Sequence, residues 1–389
     1  MQFSRILLIF LILLGTIPKV MVAENNQSNL QLISEAAVLI DATSGEVLFE
    51  KEPDKLMYPA SITKIATAIY AIEKGHLDDV VTVSENARNA DGTKVYLEEG
   101  EQVPLKKLIQ GLLINSGNDA GVAIAEHLSG NVEDFSKDLT AFLKEKTNVS
   151  QTTFKNPHGL FDPEHQTTAE DMAVITQYAM KNDTFREISS TIELDWKGET
   201  WDTTIINHHR MLRDWPYEGV TGGKNGFVNQ SGFTLVTTAQ RDHIELIAVT
   251  LKTSTEKQSY EDTAKLLDFG FENFESEKIT ETAEFIDKAE NRYQLIEPLY
   301  YTKKRGESVV KEISTDGNLL IKNEDGEVIF THPLEKVNDP ETSEQILSET
   351  VESPPEDNSL NQHLRWVVSV SILSVLVLVG FFFTQIRKI

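Results

Sequence analysis

Three short motifs contain the residues of this sequence that are best suited to chemistry. They are Ser61-Ile62-Thr63-Lys64, Ser116-Gly117-Asn118 and Lys224-Asn225-Gly226, in that order along the chain. Together they supply a serine nucleophile, a lysine that can activate it, a hydroxyl-and-amide cluster and a second cation. Each motif is weak alone, because a Ser-x-x-Lys pair occurs about once by chance in a chain of this length. The ordered set is therefore the stronger signal.

The first motif pairs a nucleophile with a base. Ser61 follows Tyr58-Pro59-Ala60, and apolar residues at helical spacing predict a helix from Ser61 to Glu73. Lys64 lies three residues after Ser61, so both side chains project from one helix face. A lysine can take the serine proton only when it is neutral, and desolvation or a nearby cation lowers its pKa toward that state. The alternative is that Ser61 only caps the helix.

The second motif lies at a break between two predicted helices, Leu105 to Leu113 and Asp119 to Leu128. The Ser116 hydroxyl could relay a proton, and the Asn118 amide could bind a substrate carbonyl. The alternative is a helix-to-helix turn in which Asn118 or the following aspartate caps the second helix.

The third motif is suited to binding a substrate through charge and close backbone contact. Lys224 would bind a terminal carboxylate and would also be the second cation near the first motif. Gly226 would let a substrate backbone approach closely, and Phe227 would donate its backbone N–H to an oxyanion. The alternative is a plain turn, which the preceding Thr221-Gly222-Gly223 also favours.

These motifs require a scaffold, and the hydrophobic pattern predicts an α+β domain. Ser34 to Lys51 is typical of a hairpin, while Gly232 to Thr238 and Ile244 to Leu251 are typical of strands. We therefore expect an antiparallel sheet that is closed by N- and C-terminal segments and covered by helices. After about Phe274, short apolar runs separated by Asp-Gly pairs predict a small all-β domain.

Both ends of the chain are apolar and predict targeting segments. Residues 1–23 are typical of a signal peptide, because the apolar run is too short to span a bilayer. The uncharged run at Trp366–Phe383 would reach roughly 27 Å as a helix, which predicts a transmembrane anchor at residues 364–386. Basic residues in the tail 387–389 place it in the cytoplasm and the preceding chain outside the cell membrane. The acidic, proline-containing segment 338–363, which directly precedes the anchor, is predicted to be a disordered linker.

Composition excludes several classes of function. The net charge is −25 over 389 residues, which argues against a nucleic-acid partner because such binding requires lysine and arginine to neutralise phosphates. The chain contains no cysteine, so a thiol nucleophile, a disulfide and a thiolate metal site are all excluded.

With their flanking residues, the three motifs resemble those of the low-molecular-mass penicillin-binding proteins, and more narrowly the D-alanyl-D-alanine carboxypeptidases of peptidase family S11. The resemblance covers roughly residues 34–274. The flanks that support it are Asp41-Ala42 with Ser44-Gly45, Pro59-Ala60, Asn156-Pro157-His158-Gly159-Leu160, and His165 with Thr167-Thr168-Ala169 and Asp171-Met172. It implies a serine β-lactamase/transpeptidase-like catalytic domain at residues 24–276, followed by the small β domain at residues 277–337.

The resemblance also implies roles for the motif residues. Ser61 would form an acyl-enzyme after expelling D-alanine from a peptidoglycan stem peptide that ends in D-Ala-D-Ala, and Lys64 would be the base. Ser116 and Asn118 would assist proton transfer and substrate positioning. Lys224 would bind the terminal carboxylate. β-Lactam antibiotics would acylate the same serine as substrate mimics.

Two positions depart from the family pattern. Asn225 replaces the usual threonine of a Lys-Thr-Gly triplet, and its amide can still hydrogen-bond a carboxylate or a carbonyl. His209 stands where the family usually has asparagine, and His208 where it often has a basic residue. The resemblance implies neither a cofactor nor a metal, and His158 and His165 are interpreted as structural residues.

Two competing interpretations use the same residues. A class A β-lactamase would also need a deacylating glutamate in a Glu-x-x-Leu-Asn-like segment, and the sequence contains none. That class also has aspartate where this chain has Gly117. A catalytically degenerate, wall-binding or scaffold protein on the same fold is the other alternative, and it is motivated by Asn225 and His209.

Overall fold

The computed structural model describes residues 30–280 and 283–337. Within these residues, no helix combines the length and apolar character that a membrane crossing requires. The predicted signal peptide, acidic linker and transmembrane anchor lie outside the described residues.

An antiparallel sheet of five strands organises the larger part of the chain. Its strands are β1 (Ala36–Asp41), β2 (Val47–Lys51), β7 (Val220–Val228), β8 (Gly232–Arg241) and β9 (Ile244–Thr253). Their order in the sheet is β2-β1-β9-β8-β7, so the N-terminal hairpin pairs with a strand from the far end of the region. The predicted closure of the sheet by N- and C-terminal segments is therefore confirmed.

Alternation along β1 explains how the sheet separates two hydrophobic cores. Val38 and Ile40 point into a large core beneath the helices, whereas Ala37 and Leu39 point to the opposite face. A strand that is buried on both faces reads as a continuous apolar run, as this one does. The second face is covered by the last helix of the region, through residues such as Leu267.

Helices form the layers on both faces. The larger layer contains α1 (Thr63–Lys74), α2 (Glu85–Arg88), α3 (Leu105–Ile114), α4 (Asn118–Ser129), α5 (Val132–Thr147), α6 (Ala169–Met180) and α7 (Asp183–Ser190). The opposite face is covered by α8 (Glu256–Asn273), which begins with a capping box between Thr255 and Gln258. Two small antiparallel strand pairs accompany the helices, β3 (Val80–Thr82) with β4 (Gln102–Pro104) and β5 (Glu193–Lys197) with β6 (Asp202–Ile206).

The C-terminal part is built from short antiparallel strands around its own small core of Ile279, Leu295, Tyr301, Leu319 and Ile321. The strands are β10 (Phe274–Ile279), β11 (Glu284–Ile286), β12 (Arg292–Gln294), β13 (Leu299–Lys304), β14 (Val310–Ile313), β15 (Asn318–Lys322), β16 (Val328–Pro333) and β17 (Glu335–Lys336). Because β10 follows α8 directly and pairs with β13, it crosses the predicted boundary between residues 276 and 277.

One sequence prediction and one alternative about local structure are wrong. Ser61 does not open an α-helix, because Ala60–Ile62 form a 3₁₀ turn and α1 begins only at Thr63. The Lys224 motif does not form a turn, since it lies inside β7. The glycines before it fit a strand for steric reasons, because a Cβ at Gly223 would meet the Val236 carbonyl oxygen at 2.2 Å.

Candidate active site

Ser61 lies in a strained turn directly before α1. Ala60 has a φ of 50°, a left-handed conformation that is uncommon for a residue with a Cβ. The Thr63 hydroxyl donates to the Ala60 carbonyl at 2.8 Å and also contacts His165 Nε2 at 2.8 Å. His165 is thus used structurally. Ser61 makes no helix-cap hydrogen bond, so the capping alternative is wrong.

Ser61 and Lys64 are in direct contact. Lys64 Nζ donates to Ser61 Oγ at 2.9 Å and to the His158 carbonyl oxygen at 2.7 Å. Ser61 Oγ lies 3.5 Å from the same carbonyl. The Lys64 side chain is fully buried, so its ammonium form has lost its hydration. This arrangement can transfer a proton from the hydroxyl to a neutral amine.

Both lysines of the site are electrostatically perturbed. Burial, followed by the positive charge of Lys224, holds the pKa of Lys64 well below its usual value, and the Asp119 carboxylate partly opposes this. Burial lowers the pKa of Lys224 to about 7. The predicted role of Lys224 as a second cation near Lys64 is consistent with this coupling.

Close packing of β7 against the Ser61 turn brings the third motif to the first. A Cβ at Gly226 would meet the Ser61 backbone nitrogen at 2.6 Å and Thr234 Oγ1 at 2.7 Å. The Thr234 hydroxyl donates to the Pro59 carbonyl at 2.8 Å and so stabilises the same turn. Gly226 therefore provides room for the protein's own backbone, rather than only for a substrate as its sequence suggested.

The outer edge of β7 carries backbone N–H groups beside Ser61. β7 is an edge strand, and the Gly223 N–H donates away from the sheet to Ser189 Oγ at 3.1 Å. Because successive N–H groups of a strand alternate in direction, those of Asn225 and Phe227 face the same free edge. The Phe227 side chain itself is half exposed and packs on Phe233.

The second motif is held by a buried carboxylate. Ser116 is buried and has a φ of 60°, and Asn118 begins α4 with its Nδ2 donating to the Asp91 carbonyl at 2.6 Å. Asp119 accepts hydrogen bonds from the Val95 N–H at 3.0 Å and from neighbouring N–H groups. Neither Asn118 nor Asp119 caps α4 through its side chain, because the cap residue is Gly117.

The structure thus joins the first and third motifs by direct packing, and the carboxylate of Asp119, which follows the second motif, acts electrostatically on Lys64. Sequence reasoning missed the His158 carbonyl, which accepts from the lysine. The signal was Asn156-Pro157-His158-Gly159-Leu160, noted only as a flank. Gly159, with a φ of 89°, lies so close to the turn that a Cβ would meet the Ala60 carbonyl.

Comparison with known proteins decides which family this geometry represents. The family model described as D-alanyl-D-alanine carboxypeptidase, Peptidase S11, matches residues 22–255. A D-alanyl-D-alanine carboxypeptidase DacF of Bacillus subtilis is 32% identical over 84% of this chain and 92% of its own length. The chain belongs to this family. Accordingly, it is a serine-type D-alanyl-D-alanine carboxypeptidase of the low-molecular-mass penicillin-binding group.

Further relatives support the same fold for this S11 member. A DacA carboxypeptidase of Haemophilus influenzae is 35% identical over 66% of this chain and 67% of its own length. A crystal structure of penicillin binding protein 5 from Haemophilus influenzae has a TM-score of 0.71 at 30% identity, covering 79% of this chain and 98% of that one. The mixed α/β serine-hydrolase fold is therefore confirmed.

The structure shows what the residues that depart from the S11 pattern contact. Lys224 Nζ donates to the Asn225 carbonyl at 2.9 Å and to Asn225 Oδ1 at 3.2 Å, so the amide oxygen partners the lysine. His209 is buried behind β7, with Nε2 2.8 Å from Thr237 Oγ1. Burial, followed by the charge of Lys224, lowers the pKa of His208 to about 4, so His208 is uncharged at neutral pH.

Proposed function

We propose that this S11 carboxypeptidase removes the terminal D-alanine from peptidoglycan stem pentapeptides through an acyl-enzyme on Ser61. The observation that carries the proposal is the 2.9 Å contact between Ser61 Oγ and a fully buried Lys64. Desolvation favours the neutral amine, which is the form of lysine that can accept the hydroxyl proton.

The reaction divides into two steps. Ser61 Oγ attacks the carbonyl carbon of the penultimate D-alanine while its proton passes to Lys64 Nζ. The C–N bond breaks, and the proton returns to the leaving amine of D-alanine. A water molecule then hydrolyses the ester, with Lys64 again accepting and returning a proton, and restores the free serine.

The remaining motif residues bind and orient the peptide. The backbone N–H groups of Ser61 and Phe227 would donate to the oxyanion, and the close approach of Gly226 to the Ser61 nitrogen supports this pairing. Lys224, together with Asn225, would bind the terminal carboxylate, and Gly226 holds the strand against the Ser61 turn. Partial burial of the carboxylate with Lys224 would strengthen this ion pair.

Ser116 and Asn118 would complete the site from the opposite side. A hydroxyl at Ser116 can accept and donate a proton, so it suits transfer between the base and the leaving amine. The Asn118 amide would position the substrate backbone. β-Lactams carry a strained amide in place of the scissile bond, so we propose that they acylate the same Ser61 and inhibit the enzyme.

Release of D-alanine from diacetyl-Lys-D-Ala-D-Ala by the full-length chain tests the proposed function. We expect release in the wild type and its loss in Ser61→Ala. The alternative, a catalytically degenerate wall-binding or scaffold protein, predicts folded wild-type protein that binds the peptide but releases no D-alanine. That outcome would overturn the proposal.

We also propose that residues 364–386 anchor the enzyme in the cell membrane with its catalytic part outside. The uncharged run at Trp366–Phe383 and the basic residues after it support this orientation. Fractionation of cells that express the full chain or a chain ending at Val337 tests it. We expect only the full chain to sediment with membranes, and sedimentation of both would contradict the anchor.

A further inference from the structure

A second recess lies next to the proposed active site, beyond the C-terminal end of β7. It is a surface cleft of about 770 Å³. Its lining includes Glu35, Lys51, Glu52, Lys55, Phe227 and Lys252. Three of these side chains are cationic and two are anionic, although the whole chain has a net charge of −25. The cleft is therefore a locally basic surface on an acidic protein.

One carboxylate pairs with two of the three cations of the cleft, and the third, Lys51, donates to the Leu32 and Ser34 carbonyl oxygens. Lys55 Nζ and Lys252 Nζ each lie 2.7 Å from a different oxygen of Glu35. All three side chains are substantially exposed, with relative exposures between 34% and 48%. Ion pairs that are this exposed contribute little net stability, so an incoming carboxylate can exchange with Glu35 at small cost.

The backbone at the rim of the cleft is strained. Lys252 has a φ of 60° and is the extra residue of a bulge, since Phe233 pairs with Thr253 and Thr234 with Leu251. Glu52, on the opposite rim, has a φ of 47°. Ala60, another left-handed residue of this chain, directly precedes the proposed nucleophile Ser61. Strained conformations of this kind concentrate at functional sites.

The direction of the bound peptide leads to this cleft. With the terminal carboxylate at Lys224 and the scissile carbonyl at Ser61 and the Phe227 N–H, the leaving D-alanine lies toward the start of β7. The rest of the peptide must therefore continue past Phe227. Asn229, two residues and about 7 Å farther along, lines the cleft.

We propose that this cleft is an acyl-side subsite that takes an anionic segment of the stem peptide, whose free carboxylate exchanges with Glu35 on Lys252 and Lys55. The inference rests on the proposed function, because it uses the peptide direction set by Lys224 and Ser61. The exposed Phe227 ring offers an apolar surface to the peptide at the entrance.

A matched pair of substrates tests the subsite. Both are L-Ala-γ-D-Glu-L-Lys-D-Ala-D-Ala pentapeptides, and one carries a carboxamide in place of the free α-carboxylate of the glutamyl residue. The measured quantity is the ratio of kcat/KM for the acid to that for the amide, with the full-length chain. We expect the wild type to prefer the acid by about two- to fivefold, the range for exposed ion pairs.

Two substitutions should move this ratio in opposite directions. Lys252→Gln removes a cation and should bring the ratio to one or below. Glu35→Gln removes the competing carboxylate and should raise the ratio above the wild-type value. A general loss of stability cannot produce opposite shifts. Lys257→Gln, which alters another exposed ion pair, is the control and should leave the ratio unchanged.

The outcomes separate this inference from the proposed function. Equal kcat/KM for acid and amide in the wild type, with Ser61-dependent release from both, would overturn the subsite and leave the carboxypeptidase intact. A ratio that Lys252→Gln and Glu35→Gln shift in the same direction would also overturn it. No Ser61-dependent release from either peptide would overturn the proposed function and the subsite with it.

Discussion

Gly226 links the fold of this enzyme to its chemistry, and a single methyl group there should disable it. In Gly226→Ala the new Cβ would lie 2.6 Å from the Ser61 backbone nitrogen, whereas ordinary contact begins at 3.4 Å. The missing 0.8 Å must come from movement of β7 or of the turn, because the contacted atom is backbone. Either movement separates the Phe227 N–H from the Ser61 N–H, the two proposed oxyanion donors.

The size of the effect follows from this displacement. A misplacement of about 1 Å costs roughly a hundredfold in rate, so kcat should fall by about 50- to 100-fold. The assay is D-alanine release, with circular dichroism to confirm that the variant is folded. Gly121→Ala in α4 is the control, because its new Cβ would crowd the flexible Leu112 side chain at 3.2 Å and would meet Pro157 and His158 at an ordinary contact distance of 3.7 Å. A folded Gly226→Ala enzyme with wild-type kcat would refute the reasoning.

Two further predictions concern the charges of the site. A lysine is charged below its pKa, and the pKa of Lys224 is about 7. Above that pH, kcat/KM should therefore fall about tenfold per pH unit, because Lys224 loses the charge that binds the substrate carboxylate. Lys224→Arg should flatten this alkaline limb because arginine stays charged, and a wild-type profile without the limb would argue against the role. Asp119→Asn should lower the free energy of unfolding in urea by about 1–3 kcal/mol, because an amide nitrogen replaces the oxygen that accepts from the buried Leu97 N–H. Asp242→Asn, on an exposed turn, is the control, and equal stability of the two variants would contradict this role of Asp119.

The sequence was sufficient to find the reacting pair, because Ser61 and Lys64 are near neighbours whose spacing is set by local geometry. It was also sufficient for the antiparallel sheet, since β1, β8 and β9 are distinct apolar runs. The acceptor for Lys64 could not be found in this way. It is a backbone carbonyl at His158, and any residue type supplies one.

The glycine-rich stretch before Lys224 shows a different limit. Glycines in sequence signal turns, yet here they mark places where a strand lies against neighbouring backbone. A Cβ at Gly222 would meet Ser189 Oγ at 2.5 Å, and one at Gly223 would meet the Val236 carbonyl at 2.2 Å. Both contacts join segments that are distant in sequence, so local patterns cannot distinguish them from a turn.

The most direct test of the central claim is to locate the acyl group on the protein. Intact mass measurement after incubation with a β-lactam, followed by peptide mapping, reports which residue is modified. We expect one adduct with the mass of the whole antibiotic on the peptide that contains Ser61, and none in Ser61→Ala. An adduct on any other residue, or D-alanine release by Ser61→Ala at the wild-type rate, would contradict the account.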